Sequence, residues 1–102
     1  MKQHDGLNLE FRMIKIRLYG VSSCRRYIKM RSIVTNEAKR LGIEINIEEI
    51  DELEALSQFN PLSLPRLYIQ DNLVASQNPP QPREVALALM EMDQRDDRQA
   101  HP

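Results

Sequence analysis

The chain has 102 residues, of which 41% are hydrophobic, and a formal net charge of −1 at pH 7. This length is typical of one domain, and a charge so close to zero gives no overall attraction to nucleic acid or to an anionic membrane. One cysteine excludes an internal disulfide. No apolar run approaches the ~20 residues of a membrane span, and the N-terminus lacks the apolar core of a signal peptide. We therefore expect a cytoplasmic protein with no membrane segment.

The first strong pattern in the chain predicts a strand followed by a helix. Residues 13–19 (MIKIRLY) alternate apolar and basic side chains, which is typical of a strand. Gly20 interrupts the alternation. Apolar side chains then recur at steps of three and four over residues 24–41, which predicts an amphipathic helix. Ser22 or Ser23 is the expected N-cap.

The middle of the chain predicts a second strand and a short helix. Gly42 is a suitable end for the first helix. Residues 43–50 (IEINIEEI) are a predicted strand, because apolar side chains at 43, 45 and 47 alternate with polar side chains at 44, 46 and 48. Residues 51–59 (DELEALSQF) fit a short helix, because acids in a first helical turn are favoured by the helix dipole.

The last third predicts a hairpin and a final helix. Residues 66–70 (RLYIQ) and 73–77 (LVASQ) are predicted strands, with a tight turn at Asp71-Asn72. Residues 83–92 (REVALALMEM) have the apolar stripe of an amphipathic helix.

The resulting order is β-α-β-α-β-β-α, which predicts an α/β domain over residues 13–92. The first strand–helix–strand unit gives a parallel pair with a right-handed crossover, and the hairpin adds antiparallel strands. We therefore expect a central mixed four-stranded sheet with helices on both faces. Residues 1–12 are predicted to form an N-terminal extension, and the charged residues 93–102 a flexible C-terminal tail.

Two segments of the chain carry a resemblance to a known family. The segments RLYGVSSC (17–24) and LPRLYI (64–69), with the element order, resemble the thioredoxin-like fold superfamily, and within it small thioredoxin- and glutaredoxin-sized redox proteins. The resemblance places Cys24 at the first position of a C-x-x-C motif and Pro65 at the family's cis-proline. Tyr27 replaces the second cysteine of that motif, which makes the chain a candidate monothiol protein.

Cys24 is the candidate nucleophile. It lies at the start of the predicted helix, directly after Ser23, and a helix N-terminus stabilises negative charge through its unpaired amides and its dipole. Arg25 and Arg26 follow it in sequence and add positive charge. This setting favours the thiolate, which is the attacking form of cysteine. A lone cysteine is also often a small apolar residue of the core, and Arg25 and Arg26 are equally consistent with a solvated first turn.

The resemblance also implies roles for the residues around the proline. It places Pro65 beside the sulfur, with the backbone at Leu64 free to pair with an extended substrate and Arg66 adding charge. Pro65 is also consistent with a trans proline in a loop. Tyr27 lies on the apolar stripe of the helix, where core packing is favoured over a catalytic role.

Three functions remain open at this point. The first is thiol–disulfide exchange through mixed disulfides of Cys24, with glutathione as co-substrate or a protein thiol as partner, because no second cysteine can release the intermediate. The second is a non-catalytic thioredoxin-fold module that binds a protein. The third is a redox sensor, monomeric or linked into a dimer through Cys24. The two histidines and few aromatic residues favour neither a metal site nor nucleic-acid binding.

Overall fold

The computed structural model describes the backbone of residues 13–100 and the side chains of residues 13–95. The predicted N-terminal extension, residues 1–12, and the final residues 101–102 lie outside the described part of the chain. The elements in chain order are β1 (Ile14–Tyr19), α1 (Arg25–Leu41), β2 (Ile45–Ile50), α2 (Leu53–Leu56), a 3-10 turn (Pro61–Ser63), β3 (Arg66–Ile69), β4 (Asn72–Ser76) and α3 (Pro82–Ala100).

The four strands form one mixed sheet in the order β2-β1-β3-β4. β1 runs parallel to β2, with Ile14 opposite Ile45, and antiparallel to β3, with Leu18 opposite Leu67. β4 pairs antiparallel with β3 at the other edge. The predicted α/β class and the mixed four-stranded sheet are confirmed.

Both long helices pack on one face of this sheet. The apolar face of β1 is fully buried there, and the apolar stripes of α1 and α3 close over it. Each fully buried side chain of this size contributes roughly 1.5–3 kcal/mol relative to an exposed one, so this layer is the main source of stability. The helix residues buried in this core are Tyr27, Met30, Val34 and Ala38 in α1 and Val85, Leu89 and Met92 in α3.

The opposite face of the sheet is covered differently. Neither long helix lies over it; its residues include Tyr19 of β1, against which Phe59 packs edge-on with ring centroids 5.0 Å apart. Phe59 follows the short helix α2. The expectation of helices on both faces did not anticipate that both long helices share one face. On the other, which we call the open face, Phe59 packs against Tyr19 and Arg66.

The start of β2 is later than the alternation predicted. Gly42 ends α1 in the left-handed conformation (φ 70°), as expected. The N–H of Ile43 then donates to the carbonyl of Ala38 at 2.9 Å, so Ile43 closes the helix instead of starting the strand. β2 therefore begins at Ile45, although Ile43 still packs against the core.

The hairpin turn is displaced by one residue from its predicted place. β3 ends at Ile69 and pairs with Asn72, so Gln70 and Asp71 form the turn. Gln70 has a positive φ of 56° and is held by Lys15, whose carbonyl accepts its N–H at 2.7 Å and whose N–H donates to its Oε1 at 3.0 Å. The prediction of Asp71-Asn72 was wrong because this tertiary contact selects Gln70.

The last helix is longer than its apolar stripe. α3 begins with Pro82 at its first position, where the missing N–H costs nothing, and Glu84 accepts the N–H of Gln81 at 2.9 Å. It continues to Ala100, eight residues past the predicted end, because apolar periodicity reports only the part of a helix that packs on the core. Within the described residues, no helix has the length and apolar character to span a membrane.

Candidate functional site

Cys24 is the N-cap residue of α1, with extended backbone angles of φ −72° and ψ 134°. Its carbonyl accepts the N–H of Ile28 at 3.0 Å, and its own N–H donates to the carbonyl of Val21 at 2.9 Å. The thiol makes no capping hydrogen bond and is half-buried against the edge of the core. Cys24 is thus a partly exposed residue at the positive end of the helix dipole.

Ser23 is exposed and lies in the turn before α1. The prediction that Ser22 or Ser23 caps the helix was wrong, because the helix begins at Arg25 and Cys24 takes the N-cap position. The N-cap position of α1 therefore has a thiol instead of a hydroxyl group.

The first turn of α1 contains two arginines and no acid. Arg25 and Arg26 are both exposed, and no ion pair is recorded for either of them within residues 13–95. Cations at a helix N-terminus are disfavoured by the dipole, so these residues do not stabilise α1.

Pro65 packs against the end of β1. The Leu64–Pro65 peptide bond is cis, and Pro65 is buried. A Cβ placed on Gly20 would lie 2.9 Å from Cβ of Pro65 and 3.0 Å from Cδ2 of Tyr27. Only glycine allows this approach. Gly20 therefore brings the segment before β3 into contact with the first turn of the helix that Cys24 opens.

The segment around Pro65 is fixed from its other side by the end of β4. The carbonyl of Pro65 accepts the N–H of Gln77 at 2.9 Å, and the hydroxyl of Ser76 donates to the carbonyl of Ser63 at 2.8 Å. Leu64, between these two anchors, is half-buried. The loop before β3 is thus held by hydrogen bonds on both sides of Leu64.

Tyr27 is a core residue, only 1% exposed. Its hydroxyl donates to Oε1 of Glu49 at 2.8 Å, and Arg31 binds Oε2 of the same carboxylate at 3.1 Å. Burial raises the pKa of Tyr27 above its ordinary value, and the hydrogen bond and negative charge of Glu49, with the charge of Asp51, raise it further. The phenol therefore stays protonated and ties α1 to the edge strand β2.

Arg66 does not join the residues near Cys24. Its guanidinium lies 4.7 Å from the ring centroid of Phe59 and donates to the hydroxyl of Tyr68 at 3.0 Å. These contacts lie on the open face of the sheet, because side chains alternate along β3. The resemblance had placed this charge beside the sulfur, and the strand alternation directs it away.

The described residues contain no group of three metal-ligating side chains. No family model matches the chain, and no curated protein is similar to it in sequence. No relative therefore assigns a role to Cys24 or Pro65.

Three features of the site were missed by sequence reasoning. These are the contact of Gly20 with Pro65, the carboxylate of Glu49 that joins two elements, and the grouping of arginine and tyrosine side chains on the open face. The alternating basic residues of β1 were the one available signal for the last of these, and they were used only to predict a strand.

Proposed function

We propose that this chain is a thioredoxin-like protein that carries out monothiol thiol–disulfide exchange through Cys24. The observation that carries the proposal is the position of Cys24. This half-buried residue is the N-cap of the 17-residue helix α1, and its thiol makes no capping hydrogen bond. The packing of Pro65 on Gly20 beside the first turn of that helix supports it. The parallel β1-α1-β2 unit joined to an antiparallel hairpin is compatible with the thioredoxin-like fold.

The reaction needs glutathione as co-substrate. The Cys24 thiolate attacks the glutathione sulfur of a protein–glutathione mixed disulfide, forms a Cys24–glutathione disulfide and releases the protein thiolate, which takes up a proton. A second glutathione thiolate then attacks the bound glutathione sulfur, which frees Cys24 and forms oxidised glutathione. In total, the protein–glutathione mixed disulfide and one glutathione thiol become a protein thiol and oxidised glutathione, so one disulfide replaces another and no further oxidant or reductant is needed.

Tyr27 decides how the intermediate is released. It stands at the position of a second cysteine, but it is buried and hydrogen-bonded to Glu49. It offers no thiol for internal attack. Release therefore depends on an external thiol reaching the half-buried sulfur of Cys24.

The test is the reduction of a glutathionylated cysteine peptide by glutathione. We expect the wild-type chain to accelerate it and Cys24→Ser to leave only the uncatalysed rate, with Ser32→Ala, a change on the exposed side of α1, as the matched control. Mass spectrometry of the chain mixed with the peptide alone should detect one bound glutathione on Cys24. Equal rates for the wild-type chain and Cys24→Ser contradict the proposal. A Cys24 adduct that glutathione does not release indicates a sensor instead.

A second candidate function is protein binding without catalysis. The specific observation in its favour is the set of ordered arginine and tyrosine side chains on the open sheet face, since these residue types are enriched at interface hot spots. It predicts no acceleration of peptide reduction by the wild-type chain.

A further inference from the structure

The open face of the sheet carries a group that we call the arginine–tyrosine cluster: Arg17, Tyr19, Arg66 and Tyr68, with Phe59 at its edge. Across the antiparallel β1–β3 pair, Arg17 stands opposite Tyr68 and Tyr19 stands opposite Arg66. The two residue types therefore alternate both along and across the strands. Directly opposed side chains on one face of a sheet are in contact distance.

The side chains of the cluster are held in place by one another. Arg17 donates to the hydroxyl of Tyr19 at 3.1 Å, and Arg66 donates twice to the hydroxyl of Tyr68, at 3.1 and 3.0 Å. The rings of Tyr19 and Tyr68 meet edge to face with centroids 5.7 Å apart. Because these side chains are already ordered, a partner pays little additional side-chain entropy on binding.

The cluster brings two like charges to one aromatic ring. The guanidinium carbons of Arg17 and Arg66 lie 5.0 and 5.6 Å from the centroid of Tyr68. The ring attracts each cation, but the two cations repel each other. Within the described residues, Arg17 has one acidic partner, Asp71, at 3.6 Å on a fully exposed side chain, and none is recorded for Arg66. An incoming anion would relieve this repulsion.

The arrangement of charges on the face favours an extended ligand. Lys15 precedes Arg17 by two residues on the same face of β1, so their Cα atoms are spaced by about 6.6–6.8 Å. An extended peptide with an acid at every second position repeats that interval. Glu48 stands opposite Arg17 on β2 and is exposed, so it repels anionic groups of a ligand at that edge of the face.

We propose that the arginine–tyrosine cluster is a docking surface for an extended segment of a partner protein with acidic residues at alternate positions. Its carboxylates would pair with Lys15 and Arg17 along β1 and with Arg66 beside them on β3. The unused N–H groups of the two arginines suit the geometry of a carboxylate. A polyphosphate chain such as single-stranded nucleic acid fits less well. The guanidinium groups of Arg17 and Arg66 already stack on Tyr68 and Phe59, the rings on which bases would have to stack. This surface goes beyond the thiol chemistry of Cys24.

The test uses a fluorescein-labelled octapeptide of alternating Glu and Thr, with binding measured by fluorescence anisotropy at physiological ionic strength. We expect Arg17→Gln/Arg66→Gln to weaken binding at least roughly tenfold, since it removes two charge-assisted contacts. The matched control is Arg31→Gln, which removes an arginine from α1 that also binds a carboxylate; it should change the affinity less than about twofold. The corresponding Gln/Thr octapeptide should not bind.

A charge-exchange variant distinguishes loss of binding from misfolding, because a misfolded chain would not gain a new ligand. The Arg17→Glu/Arg66→Glu variant should lose the Glu/Thr peptide and acquire binding of a Lys/Thr octapeptide. The proposal is overturned if the Glu/Thr and Gln/Thr peptides bind alike, or if Arg31→Gln weakens binding as much as the double variant. It is also overturned if the wild-type chain binds an oligothymidine strand and not the acidic peptide, or if the exchange variant gains nothing.

Discussion

Tyr27 illustrates at the scale of one residue how a position that the resemblance assigns to a second cysteine is used for packing. The side chain fills the core beneath the first turn of α1, and its hydroxyl reaches the Glu49 carboxylate. A cysteine at this position would leave a cavity and remove the hydrogen bond to Glu49. The residue is therefore part of the packing, and its ionisation is coupled to the stability of the fold.

This coupling predicts an alkaline pH dependence that Tyr27→Phe removes. Because the pKa of Tyr27 is raised in the folded chain, the folded state keeps the phenolic proton where the unfolded state loses it. The stabilisation of the folded state by the protonated Tyr27 is complete below pH ~10, the ordinary pKa of tyrosine. It is lost as the pH rises above that value. Relative to Tyr27→Phe, the wild-type chain should lose up to about 1.4 kcal/mol per pH unit there.

The measurement is urea unfolding of both chains between neutral pH and the alkaline limit of reversible refolding. At neutral pH, Tyr27→Phe should cost about 1 kcal/mol for the lost hydrogen bond. Parallel alkaline losses in the two chains would mean that another group governs the dependence.

At the scale of elements, two glycines end β1 and α1 for different reasons. Gly20 follows β1 with φ +156°, and a Cβ there would press on Pro65 and Tyr27. Gly42 follows α1 with φ +70°, and a Cβ there would meet nothing within 4 Å. Gly20 is therefore required both by its positive φ and by the close packing around it, whereas Gly42 is required by its positive φ alone.

Substitution by alanine should separate these two requirements. Gly42→Ala should cost roughly 1–2 kcal/mol, the penalty of a left-handed residue with a side chain. Gly20→Ala should cost more, about 3 kcal/mol, because overpacking adds to backbone strain. Urea midpoints followed by far-UV circular dichroism give both values. Equal costs would show that the contact between Gly20 and Pro65 is not tight in solution.

At the scale of the whole molecule, the thiol and the arginine–tyrosine cluster belong to different faces of the sheet. Cys24 opens α1, which packs on the buried face together with α3. The cluster lies on the other face, although Arg66 directly follows Pro65 in the chain. Alternation along β3 keeps these neighbours apart.

The two surfaces should therefore act independently. Cys24→Ser should bind the Glu/Thr octapeptide within about twofold of the wild-type affinity, because substitutions away from a site usually have small effects. Arg17→Gln, which alters only the open face, should leave the rate of glutathionylated-peptide reduction unchanged. Loss of both activities in either variant would mean that a single site serves them.

Much of the fold could be predicted from the chain because its patterns are local. Alternation in residues 13–19 and the stripe of α1 each report which side of an element is buried, and Gly42 marks the helix end through its own backbone preference. The places where prediction failed depend on distant contacts. Gln70 became a turn residue because it binds the backbone of Lys15. α3 continues past its apolar stripe, and apolar periodicity does not report a part of a helix that lies beyond the core.

The sequence alone determined the order of the elements, the single thiol and the absence of a second cysteine to resolve a mixed disulfide. These follow from periodicity and composition, which act within a few residues. Only the tertiary structure decided that Tyr27 donates a hydrogen bond to Glu49 and that Pro65 packs against Gly20. It also placed Arg17 and Arg66, from two different strands, beside the same ring of Tyr68. Such contacts join residues that are far apart in the chain, and strand register and the packing of helices on the sheet bring them together.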